Sequence, residues 1–307
     1  MSSIFTLNSV CVRGWQGDLL LQDELAHPSL FILNRTLGRT RAAPVVSIVH
    51  HLRASEHPSG IRLAARCVER AYLRTVDAFL FNGEVTTQSV RLLRGGAVFG
   101  MVAPPGGDRL GRGVTDAESD ARAAAGAPLR VLFVGNLIPR KGLLTLLRAL
   151  AMRTRDDWRL TIVGSRAVDP AHVQQVDRFV IERGLGERVC MKDHVNDDGL
   201  ASELRAAHVL AVPSAYEGFG IVYLEAMGFG VVPIGSTEGG ASEVIEDGRS
   251  GFLVRPGDAT ALAAVIERLC ADRELLRSRA RAALQRFGQF PGWEARMKAV
   301  RDWLVAL

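Results

Sequence analysis

The chain has 307 residues, 48% hydrophobic and 23% charged, a balance ordinary for a folded globular protein and long enough for two compact domains. Aromatics make up only 6%, which argues against a stacking platform for nucleic acid, and the net charge of +5 suits anionic partners such as phosphates or an acidic membrane surface. Cys11, Cys67, Cys190 and Cys270 form no C-x-x-C pair, no stretch is apolar enough to span a bilayer, and the first residues lack a secretory signal pattern. A reduced, cytoplasmic setting is expected, and the basic charge is compatible with peripheral contact at the inner membrane face.

In chain order, residues 18–21 read as a short strand running into Gln22-Asp23-Glu24. Residues 45–49 are a buried strand ending at His50-His51, and 61–75 an amphipathic helix. Residues 78–81 form a strand ending at Asn82-Gly83, and 98–102 one ending in Pro104-Pro105-Gly106-Gly107-Asp108. Ligands of open parallel sheets bind beyond the carboxyl ends of the strands, so Asp23, Glu24, His50, His51 and Asn82 are residues to watch. Residues 111–127, rich in Ala, Gly and Asp without apolar periodicity, read as a linker or surface segment.

From residue 128 the alternation is clean. Strands are predicted over 129–134, 159–163, 188–191, 209–212, 231–234 and 252–254. Helices are predicted over 141–152, 171–183, 199–207, 219–227, 241–245 and 259–287, with a last amphipathic helix over 293–307. This order implies an α/β chain of two Rossmann-like domains with parallel sheets. The boundaries read from it are 1–126 including the linker, 127–290, and a C-terminal helix over 291–307 that could cross back to the first domain.

Three segments carry candidate chemistry. In the first, a strand ends at Pro213-Ser214, a glycine-containing turn holds Glu217, Gly218 and Gly220, and a helix begins at about Gly220. Glycines let backbone N–H groups approach a ligand, and a helix start suits oxygen-rich anions. Glu217 could accept hydrogens from sugar hydroxyls, and Glu225, two turns along, could hold a second group of hydroxyls; on spacing alone the plainer reading, two ordinary helix acids, has the edge. In the second, Gly135-Asn136-Leu137-Ile138-Pro139-Arg140-Lys141-Gly142 follows a buried strand. Lysine occurs only at Lys141, Lys192 and Lys298 in a chain that otherwise uses arginine, so a compact point charge at Lys141 is a candidate anion ligand. In the third, Gly239-Gly240 precedes a short helix and offers exposed N–H groups near phosphates.

Glu217, Phe219, Gly220 and Glu225 resemble, position by position, the E-x7-E signature of retaining glycosyltransferases of family 4, which have the GT-B fold. The resemblance implies that Glu217 contacts the donor sugar, that Glu225 binds the nucleotide ribose, and that the Phe219-Gly220 backbone meets sugar hydroxyls. Residues 134–142 resemble the family's G-R-L-x-P-x-K-G segment, which clamps the donor diphosphate; Lys141 falls on the family lysine, while Asn136 stands where the family has arginine. Arg140 could supply that charge. Residues 239–254 resemble G-G-x-x-E-x-I-x-D-G-x-x-G-x-L-V, with Glu243 read as a brace of the turn, and Val195-Asn196-Asp197 resembles the turn near the base, although Asp193-His194 replaces the usual small residue. His50, favoured over His51, matches the histidine beside the donor sugar. The implied catalytic set is Glu217, Lys141, Arg140 and His50, and the donor-binding set Gly135, Asn136, Gly218, Phe219, Gly220, Ile221, Glu225, Gly239 and Gly240.

The expected activity is transfer of a sugar from a nucleotide-diphosphate sugar to an acceptor hydroxyl with retention, the acceptor being a saccharide, lipid or small molecule. Domain closure about the linker would exclude water. No D-x-D motif is present, so no metal and no cofactor are expected, and no nucleic-acid partner. Nothing in residues 1–17 matches the family's opening glycine-rich loop, so the chain is expected to begin partway into an incomplete first domain. The alternative reading is a catalytically incomplete GT-B remnant, or a subunit binding nucleotide sugar only with a partner. A dinucleotide-dependent oxidoreductase is disfavoured, because no strand is followed by G-x-G-x-x-G.

Overall fold

A computed structural model describes residues 17–37, 43–55, 61–126 and 128–307. Residues 1–16, on which the expectation about an opening loop rests, lie outside the described residues, as does Cys11. The chain divides into two compact units, one running to Pro104 and including Val300–Leu307, the other Pro105–Ala299.

Among the described residues, the first unit holds a four-stranded parallel sheet, β1 (Leu20–Asp23), β2 (Val45–Val49), β3 (Ala78–Phe81) and β4 (Gly100–Val102), in that spatial order. β2 is a β-branched run whose Val45, Val46 and Val49 are fully buried, the pattern of a strand covered on both faces. One face packs Val45, Val49, Phe79 and Phe81 against Leu30 and Leu33 of helix α1 (His27–Leu37), Tyr72 and Leu73 of α2 (Ile61–Leu73), and Val90 and Leu93 of α3 (Glu84–Arg94). Val46, Ala78 and Leu80 face the other way, against Val300, Trp303 and Leu304. β1 starts two residues later than its predicted span, because Leu20 pairs with Val45 and Asp23 with Ile48, which brings Asp23 into the ladder.

The first helix of the second unit is α4 (Asp116–Ala124), where the sequence predicts a linker or surface segment. The correction has a local cause. Thr115 and Glu118 form a capping box, the Thr115 hydroxyl accepting from the Glu118 N–H and the Glu118 carboxylate from the Thr115 N–H. Only Ser119 and Ala123 are buried, too little to give an apolar stripe. Arg122 anchors the helix instead, donating to the carbonyls of Phe229 (2.7 Å) and Gly230 (2.6 Å).

Six parallel strands follow: β5 (Leu129–Val134), β6 (Trp158–Val163), β7 (Val189–Lys192), β8 (Val209–Ala211), β9 (Val232–Ser236) and β10 (Phe252–Val254). Their spatial order is β10-β9-β8-β5-β6-β7. Two halves of three strands thus run outward from β5 and β8, and the strand order reverses between those two. The helices are α5 (Leu143–Ala151), α6 (Pro170–Glu182), α7 (Asp197–Ala206), α8 (Ile221–Met227), α9 (Ala241–Val244), α10 (Ala259–Ala271) and α11 (Arg273–Phe287). The largely helical stretch predicted over 259–287 is two helices, because Asp272 leaves the helical conformation and its carboxylate accepts the Leu275 N–H to start α11. A final helix, α12 (Trp293–Val305), starts where the Trp293 N–H donates to Asp108.

Candidate donor site at the switch point of the second unit

The strand order reverses between β5 and β8, and the loops at the carboxyl ends of those two strands lie where open parallel sheets bind their ligands. The first loop runs through Gly135 and the exposed Asn136 into a 3-10 turn, Pro139–Lys141, so Lys141 precedes α5 rather than opening it. Gly142 ends that turn at φ +74, and a Cβ there would lie 2.1 Å from the Pro213 carbonyl oxygen. Only glycine allows the two loops to touch. They are then joined by two hydrogen bonds: the Ala215 N–H donates to the Arg140 carbonyl at 2.7 Å, and the Arg140 side chain donates from Nη1 to the Tyr216 carbonyl at 2.8 Å.

This join brings Lys141 and Glu217 together. Lys141 Nζ lies 2.7 Å from Glu217 Oε1, and the Ser214 hydroxyl donates to the same oxygen at 2.6 Å. The side chains are only 18% and 10% exposed, so the pair is largely desolvated and the Ser214 bond helps to satisfy the carboxylate. A third loop supports Glu217 from behind. Glu217 and Gly239 form a parallel bridge, and the Gly240 N–H donates to the Glu217 carbonyl at 2.8 Å. A Cβ on Gly239 would sit 2.2 Å from the Glu217 oxygen, and one on Gly240 2.4 Å from the Gly218 oxygen.

Gly220 (φ +86) turns the chain into α8, and a Cβ there would meet the Tyr223 ring at 2.5 Å. Tyr223 is fully buried and donates to the Val212 carbonyl at 2.6 Å; burial, then the charge of Glu217, pushes its phenol well above the usual range. Phe219 is buried, edge-on to Phe290 at 6.3 Å, and Ile221 opens α8 half-buried. Glu225 is also buried, its side chain 4% exposed, and Arg109 Nε donates to its Oε1 at 2.8 Å. Arg109 bonds Asp197 as well. Its guanidinium is held above its usual pKa, first by the hydrogen bond to Glu225. Neither Arg109 nor Ser214 stands out in the sequence: one follows an ordinary turn and the other is a serine at a strand end.

Every residue of the implied site except His50 lies in this unit. His50 follows β2 in the first unit, where its N–H donates to Glu24 at 2.6 Å, its Nε2 lies 3.4 Å from Asp23, and its carbonyl accepts from Asn82 at 2.6 Å. Four of the five strand-end residues singled out by sequence thus meet, Glu24 and Asn82 on the main chain of His50 and Asp23 on its ring, and the His51 main chain adds a hydrogen bond to Glu24. Burial raises the Glu24 carboxyl to about 7, against the lowering effect of the His50 N–H. Asp23, Glu24 and His50 could each offer a metal one ligand atom, all within 4.8 Å of one another.

Residues 114–286 match the family model for glycosyl transferases group 1. The chain belongs to the group 1 glycosyltransferase family. Among curated proteins it is similar to D-inositol 3-phosphate glycosyltransferase of Streptomyces avermitilis, 33% identical over 62% of this chain and 43% of the relative. It is 26% identical to glycogen synthase of Mycobacterium tuberculosis over 92% of this chain and 67% of that one. The chain spans about half the length of the inositol-phosphate glycosyltransferases it matches. Among solved structures, sucrose-phosphate synthase from Thermosynechococcus elongatus matches with a TM-score of 0.80 at 27% identity, over 97% of this chain and 76% of that one. HepE of Anabaena, solved in complex with UDP-glucose, matches with a TM-score of 0.79 at 22% identity, over 97% and 81%. The fold is α/β of the GT-B type. Among the described residues, no helix is long and apolar enough to cross a membrane.

Proposed function

We propose that this chain transfers a sugar from a nucleotide-diphosphate sugar to an acceptor hydroxyl with retention of the anomeric configuration. The observation that carries the reading is the Lys141–Glu217 pair at the switch point, with Ser214 on the same carboxylate oxygen. Lys141 supplies a fixed positive charge for the leaving diphosphate, and Glu217 orients the sugar hydroxyls beside it. The bond from the anomeric carbon to the diphosphate oxygen breaks, the acceptor oxygen bonds that carbon from the same face, and the acceptor proton passes to the diphosphate. Glu225 holds the ribose, and the main chain at Phe219-Gly220 and Gly239-Gly240 meets sugar and phosphate oxygens. The donor-like ligand bound by HepE supports a nucleotide sugar as substrate class. The lack of a D-x-D motif supports chemistry that runs without a metal cofactor.

The test is release of nucleoside diphosphate from UDP-glucose, GDP-mannose and UDP-N-acetylglucosamine. Glu217→Ala and Lys141→Ala should each lower turnover by roughly 100-fold or more at a temperature where circular dichroism shows the variant folded, since breaking a desolvated pair also lowers stability. Near-normal turnover in both variants sinks the assignment. The configuration of the product bond, read from proton couplings, checks retention, and an inverted product removes that part of the reading.

A further inference from the structure

Arg109 is placed with unusual care for a residue outside every motif. The turn before it is fixed from two sides. Asp108 Oδ1 accepts the Trp293 N–H at 2.7 Å, and Gly107 lies so close to α8 that a Cβ would fall 2.6 Å from Leu224 Cγ. Leu224 precedes Glu225, so this approach delivers Arg109 to that carboxylate. The guanidinium then spans two acids of opposite character, Glu225 with its side chain 4% exposed and Asp197 with its side chain 63% exposed. Asp197 is the first residue of α7, directly after the N-cap Asn196.

One oxygen of Glu225 is left for another use. Oε1 takes the Arg109 Nε, whereas Oε2 makes no hydrogen bond among the described residues and is not sealed from solvent. A carboxylate this deeply set is held in one orientation by the planar fork of an arginine better than by a flexible lysine. The cation also offsets a negative charge that would otherwise repel an anionic diphosphate.

We infer that Arg109 is a positioning residue of the nucleotide pocket: it clamps Glu225 so that Oε2 faces the ribose diol, and through Asp197 it ties that carboxylate to the turn at 195–197. The inference rests on the ribose role proposed for Glu225. Nucleotide is recognised by its sugar edge through a buried acid whose direction is set by a residue 116 positions away in the chain.

Calorimetric affinities for UDP and GDP, each as the ribonucleotide and as its 2′-deoxy and 3′-deoxy forms, test it on the full chain. The parent protein should prefer the ribo form. Arg109→Ala should weaken the ribonucleotide roughly ten-fold or more and leave the deoxy forms nearly unchanged, so that the preference collapses toward one. Arg109→Lys keeps the charge, guards against a variant that fails to fold, and should retain only part of the preference. A folded Arg109→Ala or Arg109→Lys with the parent's full preference overturns the inference, as does an equal loss for ribo and deoxy forms. A parent protein that binds UDP or GDP without any ribo preference overturns the ribose role of Glu225 itself. One that binds neither nucleotide overturns the donor reading.

Discussion

Both units gather polar side chains beyond the carboxyl ends of parallel strands, yet they hold them by different means. In the second, Glu217 and Lys141 meet because main-chain segments touch at Gly142, Gly239 and Gly240, where no Cβ fits. In the first, His50 is held by side chains: Glu24 on its N–H, Asn82 on its carbonyl, and Asp23 3.4 Å from its ring. A site pinned by backbone packing answers to shape, whereas one pinned by a buried carboxylate answers to proton concentration. The two should therefore fail under different perturbations.

The largest effect is expected from Gly142→Ala. At φ +74, with a Cβ 2.1 Å from the Pro213 oxygen, the new methyl forces the loops apart and removes Lys141 from Glu217. Urea unfolding should show a loss of at least about 3 kcal/mol. Gly184→Ala is the matched control: φ is +61 but nothing lies within 4 Å. Its cost should be about 1 kcal/mol, from backbone conformation alone. Equal costs for the two would break the main-chain account of the second unit.

The first unit should instead respond to pH. The Glu24 carboxyl keeps its proton to about pH 7 when folded and loses it near the ordinary carboxyl value of 4.5 when unfolded. Between those values the folded state binds more protons, so unfolding free energy falls as pH rises. The stabilising contribution is full below about 4.5, declines through about 7 and is lost above it, amounting to up to roughly 3 kcal/mol. The opening free energy of the 45–49 strand, taken from amide exchange corrected for intrinsic rates, should track this decline. In Glu24→Gln it should be flat across the same window, and a pH dependence retained in that variant would remove Glu24 as the cause. A smaller effect, about 1 kcal/mol in urea midpoint, is expected for Thr115→Ala, which removes half of the capping box that starts α4. No change there would mean that Arg122 alone holds the helix.

The second unit was largely legible because its strands are continuous apolar runs ended by glycine or proline, and because Glu217, Glu225 and Lys141 lie in short, ordered segments. Its alternation predicts the six strands within about two residues at each end. What escaped is held by polar or non-local contacts. α4 rests on a capping box and on Arg122 reaching carbonyls more than 100 residues away, neither of which leaves a hydrophobic period. α3 buries Thr86 and Thr87 beside Val90 and Leu93, so half of its buried face is polar by residue type. Ser214 and Arg109 join the site across the chain, through a loop contact and a helix approach that sequence spacing does not encode. Arg140, read as a stand-in for the family arginine at position 136, uses one of its nitrogens to brace the Tyr216 carbonyl, a partner visible only once the two loops meet.

The close contact of Gly239 and Gly240 with the main chain of Glu217 and Gly218 has a practical consequence for redesign. A platform whose geometry is set by peptide groups leaves the side chains around it free to be exchanged. Asn136, Asp193 and His194 are exposed at the ends of β5 and β7. On the function proposed above, a library randomised at those three positions should alter nucleotide preference and leave the Lys141–Glu217 pair intact, whereas positions 239 and 240 have no room for a side chain.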